Sequence, residues 1–202
     1  MTDVDLKRPE ASHIWQREQH EHYVEPEWCS RRLFDVEKFE GGIHDPACGF
    51  GRIPEAAKAF GYEDVRASDI VDRGYQPNHR PMDFFNFTTC GAGNIVSNPP
   101  FDIFQRFALH ALSLETRKVA LIWLVRTLPA ARWLQDTPLA RVLLLTPRPS
   151  MPPGHVITAG EKPGGGKQDF CWLIWDKAHT APASIGWLHR DQKLALSGDE
   201  RK

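Results

Sequence analysis

The stretch IHDPACGFGRIPEAAKAF, residues 43–60, contains the pattern that decides the fold. Its first part predicts a short strand over 43–47, and the helix-forming residues of 53–60 predict a helix. Between them, Gly49 and Gly51 allow a tight turn and let a ligand approach the backbone. This order of strand, glycine turn and helix indicates an α/β unit, whose turn lies at the carboxyl end of its strand.

The same alternation continues along the chain. Apolar runs predict further strands at 65–70, 94–97, 118–125, 141–145 and 170–175. Helical spacing of apolar residues predicts helices at 27–39, 104–113 and 127–134. The run KVALIWLV, residues 118–125, is almost continuously apolar, which is typical of a strand that is buried on both faces. We therefore expect an α/β fold, with a mainly parallel sheet and helices on both of its faces.

The composition narrows the function classes. The chain has 202 residues, 41% of them hydrophobic, and a formal net charge of -1, which predicts one globular domain without a global attraction for polyanions. Its four cysteines contain no CxxC pair, which argues against a zinc site. The N-terminus lacks the apolar core of a signal peptide, and no apolar run approaches ~20 residues. We expect a cytoplasmic protein that has no membrane segment and binds no metal. A metal site at His13, His20 and His22 is the less favoured alternative to a solvated arm.

Acidic residues follow or end the first predicted strands. Asp45 opens the glycine turn, and Asp69 is placed to accept hydrogen bonds from two ribose hydroxyls, with Asp72 as a rival for this role. Asp83 is placed to accept from an adenine amino group, while one of the aromatic pair at 84–85 packs near the ring. Turn acids beside core aromatics are the alternative explanation for these residues.

The stretch SNPPF, residues 97–101, ends another predicted strand at the same edge of the sheet. Together, DPACGFG and SNPPF resemble the cofactor loop and the catalytic loop of the amino-methylating class I S-adenosylmethionine-dependent methyltransferases, in particular small phage-type N6-adenine DNA methyltransferases. The stretch YVEPEW, residues 23–28, resembles the segment that precedes that cofactor loop, with Glu25 in place of the family's threonine. Pro54 replaces the third glycine of GxGxxG, and no Gly-Lys-Ser/Thr follows, which excludes a phosphate-binding P-loop.

This resemblance, which runs from about residue 23 to 176, implies a Rossmann-like methyltransferase fold with a reversed last strand. It implies that the Asn98 side-chain oxygen and the Pro99 carbonyl accept the two hydrogens of an exocyclic amine, which favours the pyramidal nitrogen of the transition state. Pro99 and Pro100 stiffen the loop, and Phe101 offers its face to a base that has left its stack. Catalysis is thus assigned to Asn98, Pro99, Pro100 and Phe101.

The implied cofactor is S-adenosylmethionine. Its expected binding residues are Asp45, Pro46, Ala47, Cys48, Gly49, Gly51, Asp69, Ile70, Asp83 and Phe84, with Tyr23 and Pro26 from the preceding segment. The expected substrate-binding residues are Phe101 and three cations of a local basic rim that also holds Arg132 and Arg141: Arg126, Arg148 and Lys167.

The catalytic loop selects the chemistry and leaves the substrate open. Adenine N6 in DNA is favoured, with low or loop-encoded sequence specificity. An RNA adenine or a protein glutamine is the alternative, and a catalytically silent fold that binds nucleic acid is the second. We expect one methyltransferase domain over 1–202, with 1–40 packed on the core, a Pro/Gly-rich substrate-side loop at 146–168 and a mobile tail at 190–202.

Overall fold

The computed structural model of the protein describes residues 22–75, 81–161 and 164–191. The strands are β1 Gly42–Asp45, β2 Val65–Ala67, β3 Gly93–Ser97, β4 Lys118–Leu124, β5 Leu139–Thr146, β6 Phe170–Asp176 and β7 Ser184–His189. The helices are α1 Glu27–Val36, α2 Arg52–Ala59, α3 Phe104–Ser113 and α4 Gly154–Thr158. Short 3₁₀ segments occur at Phe84–Asn86, Phe101–Ile103, Val125–Ala130 and Arg132–Asp136.

The strands form one sheet in the order β2-β1-β3-β4-β6-β5-β7. Strand β6 runs antiparallel to β4 and β5, and all other neighbouring strands are parallel. This confirms the predicted Rossmann-like α/β fold with one reversed strand. The reversed strand is followed by β7, which the sequence prediction did not include. Strand β7 has the sequence SIGWLH, which contains a glycine, and only its Leu188 is buried.

The core lies on both faces of the sheet, as the apolar run at 118–125 predicted. Ala120 and Ile122 of β4 pack against the cluster that contains α1 and α2 residues. Leu121 and Trp123, on the opposite face, pack against the cluster that contains α3 residues. Trp123 stacks on Phe104 of α3, with 4.2 Å between the ring centroids. This two-sided packing fixes the sheet, and with it the positions of the loops at its carboxyl edge.

Several predicted elements differ from the structure, among them the strand predicted at 65–70, which ends at Ala67. The predicted helix at 127–134 is two 3₁₀ segments, since Pro129 has no N–H to donate to a helical hydrogen bond. The loop at 146–168 contains the short helix α4, which begins directly after Pro153. The helix at 27–39 ends at Val36, because Glu37 has extended backbone angles.

Some predictions fall on residues that the structure does not describe. His13 and His20 are among them, as is the predicted tail from 192 onward. Among the residues that the structure describes, none of the helices has the length and apolar character that a membrane crossing requires.

Candidate active site at the carboxyl edge of the sheet

The carboxyl ends of β2, β1 and β3 meet at one edge of the sheet, because these three strands are parallel neighbours. Asp69, Asp45 and Asn98 follow or end these strands, so the topology brings three predicted site residues to one edge. Two links connect the loops there. Ser97 Oγ donates to Asp45 Oδ1 at 2.6 Å, and Gly49 N donates to Asp69 Oδ2 at 2.9 Å.

Asn98 has a half-satisfied side-chain amide. Its Nδ2 donates to the Tyr23 carbonyl at 2.7 Å and to Glu25 Oε2 at 2.9 Å. Its Oδ1 is buried and has no hydrogen-bond partner among the described residues. The amide therefore has both of its N–H groups bonded to the protein, while its acceptor is left for another group.

The segment that holds Asn98 is fixed by contacts from three parts of the chain. Val24 N donates to the Pro152 carbonyl at 2.9 Å, and Tyr23 forms a β-bridge with Pro153. Arg52 Nη1 donates to the Glu25 carbonyl at 2.6 Å. Pro26 is the N-cap residue of α1, so the helix begins immediately after this segment. These contacts give residues 23–26 a fixed position beside the loop that carries Asn98.

An aromatic wall lies next to Asn98. Phe101 and Tyr23 are both half-buried, and their rings are parallel within 7° at a centroid distance of 5.8 Å. Phe101 also contacts Phe170, with 5.7 Å between the ring centroids. Of the two prolines before Phe101, Pro99 is buried and Pro100 is half-buried. The wall provides flat apolar surface for a planar ring.

Two buried carboxyl groups give this edge its electrostatic character. Asp45 is 1% exposed and Glu25 is 6% exposed. Burial raises the pKa of Asp45 well above its ordinary value, and the nearby charge of Glu25 raises it further, against the hydrogen bond from Ser97. Burial likewise raises the pKa of Glu25, although the Asn98 hydrogen bond and the Arg52 charge oppose this shift. Both carboxylates would be stabilised by a cationic ligand.

The glycine turn approaches two aromatic side chains closely. Gly49 and Gly51 have φ values of +51° and +79°, which favour glycine. A Cβ on Gly49 would collide with the His22 ring, and one on Gly51 would collide with the Tyr75 ring. His22, Cys48 and Asn98 line a cavity of about 20 Å³ here. A cleft of about 520 Å³, which shares Phe50 and Arg52 with it, lies between α1, α2 and α4.

The residues predicted to bind ribose and adenine form hydrogen bonds within their own turns. Asp69 accepts from Gly49 N and from Val71 N at 3.0 Å, so it also holds the turn. Its rival Asp72 is exposed and accepts from Gly74 N, and Ile70 is 45% exposed beside Asp69.

Asp83 accepts from Phe85 N at 2.9 Å and caps a 3₁₀ segment. Phe84 is 4% exposed and packs against Phe107 at 4.4 Å. Phe84 thus contributes to the core, and its packing near an adenine ring stays a prediction. Phe85 is half-buried and lies under the Arg106 guanidinium, 3.8 Å from its ring centroid.

The predicted basic rim is only partly formed. Arg126 and Lys167 are exposed. Arg148 is exposed but forms a two-bond ion pair with Asp169, at 2.7 and 3.0 Å, which competes with binding to phosphate. Arg141 lies near the start of β5, where it pairs with Glu37 at 3.2 Å, so it belongs to the opposite edge of the sheet. The described residues contain no group of three or more side chains suited to hold a metal ion.

Sequence reasoning missed two residues of the site. Glu25 was noted only as a replacement for threonine, and Ser97 only as the first residue of SNPPF. An acid in place of threonine beside Pro26 was the only signal in the sequence, because the burial of Glu25 is seen only in the structure. The link from Ser97 to Asp45 spans 52 positions, and nothing in the local sequence pattern indicates it.

No protein-family model matches this chain, and no curated protein matches it. A similar solved structure is that of a predicted RNA methyltransferase from Pyrococcus horikoshii, with a TM-score of 0.53 and 16% identity over 75% of this chain and 81% of that one. A type I restriction-modification methyltransferase subunit from Streptococcus thermophilus has a TM-score of 0.52 and 12% identity over 80% of this chain. A modification subunit of a predicted type I restriction enzyme from Vibrio vulnificus has a TM-score of 0.52 and 14% identity over 84%.

The chain spans 45% and 47% of the lengths of the two restriction-modification subunits. At identities of 12–16%, these similarities establish a shared fold and do not by themselves establish a shared activity. The chain therefore has the fold of these methyltransferase structures.

Proposed function

We propose that this protein is an S-adenosylmethionine-dependent methyltransferase that acts on an exocyclic amine, preferentially adenine N6 in DNA. The observation that carries this proposal is the buried Asn98 Oδ1, which lacks a hydrogen-bond donor among the described residues. A buried acceptor without a partner costs about 1–3 kcal/mol, so it fits a place where a ligand supplies the donor. An amino group supplies such a donor, and the aromatic wall beside Asn98 accommodates the ring that carries it.

The residues at this edge fit the proposed cofactor by charge. S-adenosylmethionine carries a sulfonium and an ammonium group, and Asp45 and Glu25 are buried carboxyl groups with raised pKa values. When bound, the cofactor supplies an electrophilic methyl group. The backbone of Gly49 and Gly51 would hold its methionine end. Since the His22 and Tyr75 rings lie against these glycines, both rings must move aside for the cofactor to enter.

The protein's part in the reaction is to orient the amine and to exclude water. Asn98 Oδ1 and the Pro99 carbonyl would accept the two amino hydrogens and favour a pyramidal nitrogen, which is closer to the transition state than the flat ground state. Acceptors that are fixed in advance need no reorganisation as positive charge develops on the nitrogen. The rings of Phe101 and Tyr23 would hold the plane of the base. The product ammonium is acidic enough to lose its proton to solvent.

The structural neighbours and two exposed cations favour a nucleic acid as the substrate. The structures of similar fold include an RNA methyltransferase and restriction-modification subunits, which favours a nucleic acid. The exposed cations Arg126 and Lys167 are available for phosphate contacts, whereas Arg148 must first leave Asp169. A protein glutamine is less favoured, since an aromatic wall suits a planar base. The cytoplasmic location and the single-domain organisation remain predictions.

The test is methyl transfer from labelled S-adenosylmethionine to single- and double-stranded DNA, to RNA of the same sequence and to a protein extract. We expect stoichiometric cofactor binding by calorimetry and label in DNA above that in RNA or protein. Label in RNA or protein alone would move the substrate to that class. Cofactor binding without any transfer would support the catalytically silent alternative, and absence of cofactor binding would contradict the proposal entirely.

A further inference from the structure

Glu25 places a buried carboxyl group beside Asn98, and the charge that it offers to the cofactor does not by itself account for this contact. Its side chain is 6% exposed, and Oε2 lies 2.9 Å from Asn98 Nδ2. A glutamate is seldom buried without a partner, because its charged form loses hydration. Its neighbour Arg52 donates to its backbone carbonyl, and no described residue forms an ion pair with the carboxylate. The burial of Glu25 therefore calls for an explanation that includes the Asn98 contact.

An asparagine side chain has two ends of nearly equal shape and opposite hydrogen-bonding character. One end accepts and the other donates two hydrogens, so a half-turn about the Cβ–Cγ bond exchanges them. If Asn98 turned in this way, Nδ2 would point into the site and would repel an amino group. The chemistry thus depends on which end of Asn98 faces the substrate.

Two acceptors fix this orientation. The Tyr23 carbonyl and Glu25 Oε2 each receive one of the two Nδ2 hydrogens, which satisfies the whole donor end. In the turned orientation Oδ1 would face two acceptors, one of them a carboxylate, and no hydrogen bond would form. With the Tyr23 carbonyl alone, one N–H would be unsatisfied and the preference between the two orientations would be smaller.

We propose that Glu25 is a positioning residue that holds Asn98 with its oxygen toward the substrate, so that the site selects an amino group and rejects a carbonyl group at the same position. This inference rests on the proposed function. It names what makes the site specific for an amine, and it assigns that role to the residue that replaces the family's threonine. Glu25 acts through Asn98 and does not need to touch the substrate.

Two variants of similar length separate this role from packing. Glu25→Gln keeps a carbonyl acceptor for Asn98, and although its own NH₂ could donate to a turned Asn98, the turned oxygen would still face the Tyr23 carbonyl; Glu25→Met fills the space without an acceptor. At saturating cofactor and DNA, we expect the single-turnover rate of Glu25→Gln to stay within about 5-fold of the unsubstituted protein and that of Glu25→Met to fall by about 30-fold or more. A melting temperature for each variant shows that it is folded.

Binding selectivity is the measurement that a packing role would not change. Single-stranded oligonucleotides that differ only in adenine or hypoxanthine present an amino or a carbonyl group at the same ring position. We expect the unsubstituted protein to prefer adenine by about 10-fold or more, and Glu25→Met to lose this preference to within about 2-fold. Glu25→Gln should retain most of it. Equal selectivity in Glu25→Met and the unsubstituted protein would overturn the proposal, as would an unchanged rate.

Failure of the proposed function is seen separately, as absence of transfer by the unsubstituted protein. The orientation of Asn98 is then judged by nuclear magnetic resonance, from the exchange of its side-chain NH₂ protons, assigned by their loss in Asn98→Ala. We expect both protons to be protected in the unsubstituted protein and in Glu25→Gln, and exchange in Glu25→Met to be about 10-fold faster or more. Equal exchange in all three proteins would remove the positioning role.

Discussion

Two asparagines, Asn94 in β3 and the half-buried Asn98 directly after it, differ in how their side-chain amides are hydrogen-bonded. Asn94, near the start of β3, donates to the Glu40 and Gly42 carbonyls at 2.8 and 2.9 Å and accepts from Lys118 N at 3.2 Å. Asn98, just after the strand, has both N–H groups bonded and its oxygen free of any described partner. Asn94 completes the structure of the amino edge, whereas Asn98 presents an acceptor at the carboxyl edge.

The buried acids at the two edges show the same difference. Glu37 is 3% exposed and lies between Lys118 and Arg141, which compensate its charge. Asp45 is 1% exposed and has no ion-pair partner among the described residues. The charge of Glu37 at the amino edge is compensated by Lys118 and Arg141, whereas under the proposed function a cationic ligand would compensate the acids at the carboxyl edge. This contrast indicates where the function lies.

The largest expected effect is on Asn98. We expect Asn98→Ala to reduce the single-turnover rate of methyl transfer by about 10³-fold, the size of effect seen when a fixed transition-state contact is removed. Cofactor affinity should change little, because the substituted group faces the amine. Asn98→Ala leaves the Tyr23 carbonyl and Glu25 Oε2 without their donor, so the melting temperature should fall, but by less than in a variant that loses three hydrogen bonds. Full activity in a folded Asn98→Ala variant would contradict the role of this acceptor.

The matched change at the other edge is Asn94→Ala. It leaves two carbonyls and one backbone N–H without their partner inside the sheet, so we expect the free energy of unfolding to fall by about 3 kcal/mol. For a chain of this size that corresponds to roughly 6–12 °C in melting temperature. Below the new melting temperature, the transfer rate per folded molecule should be unchanged. A large loss of rate would show that the two edges are not independent.

His44 tests whether a buried polar atom that lacks a hydrogen-bond partner and lies away from the site only lowers the free energy of unfolding. It bonds Ser68 Oγ through Nε2, while Nδ1 is buried without a described partner. Burial lowers the pKa of His44 to about 4, with a further lowering by Arg66. Because the unfolded chain binds this proton more readily, we expect stability to be full above about pH 6.5 and to fall toward pH 4, by about 3 kcal/mol in total.

The control is His44→Gln, which keeps a hydrogen-bonding group and does not titrate. Urea unfolding between pH 4 and 7 should give a flatter dependence for this variant than for the unsubstituted protein. The same slope in both proteins would mean that other groups, and not His44, determine the loss of stability in acid.

The smallest expected effect concerns Asp45. We expect Asp45→Asn to weaken binding of S-adenosylmethionine by about 10-fold, because a buried carboxylate that faces a cation is replaced by a neutral amide. Since the pKa of Asp45 is raised in the folded protein, its contribution to stability is largest at low pH and is lost as pH rises through the folded pKa. Without cofactor, Asp45→Asn should therefore be as stable as the unsubstituted protein at pH 7, or more stable.

Glu37→Gln supplies the comparison for Asp45→Asn. It leaves Lys118 and Arg141 without their buried partner, and we expect it to cost about 3 kcal/mol of stability with cofactor affinity unchanged. Calorimetric titration and thermal unfolding of both variants measure the two effects together. A stabilising Glu37→Gln, or an Asp45→Asn that binds cofactor normally, would remove the contrast between the edges.

The sequence predicted the structure correctly where burial or backbone geometry directly determines the local residue pattern. Lys118–Leu124 reads as a strand because its side chains are apolar on both faces, and the structure buries them on both faces. SNPPF placed Asn98 at the carboxyl edge because a strand must end before two prolines. Strand β7 was not predicted, and in the structure Ile185 and Trp187 are 65% and 59% exposed while only Leu188 is buried.

The rest depended on contacts between distant parts of the chain. Glu25 meets Asn98 across 73 positions, and Arg148 meets Asp169 across 21, so neither contact leaves a periodic trace in the sequence. The sequence therefore predicted Asn98 as the acceptor, and the structure places it at the carboxyl edge of the sheet. Its orientation, and the loss of Arg148 to an ion pair, required the three-dimensional arrangement.

The most direct test of the proposed amine methylation is to identify the methylated atom. After reaction with labelled cofactor, the nucleic acid is digested to nucleosides and the labelled product is identified. The proposed function predicts label on an exocyclic amine, as N6-methyladenine, because Asn98 Oδ1 and the Pro99 carbonyl are acceptors that select amino hydrogens. Label on a ring carbon such as C5 of cytosine, or on a ribose oxygen, would contradict it, since neither position has amino hydrogens for these acceptors.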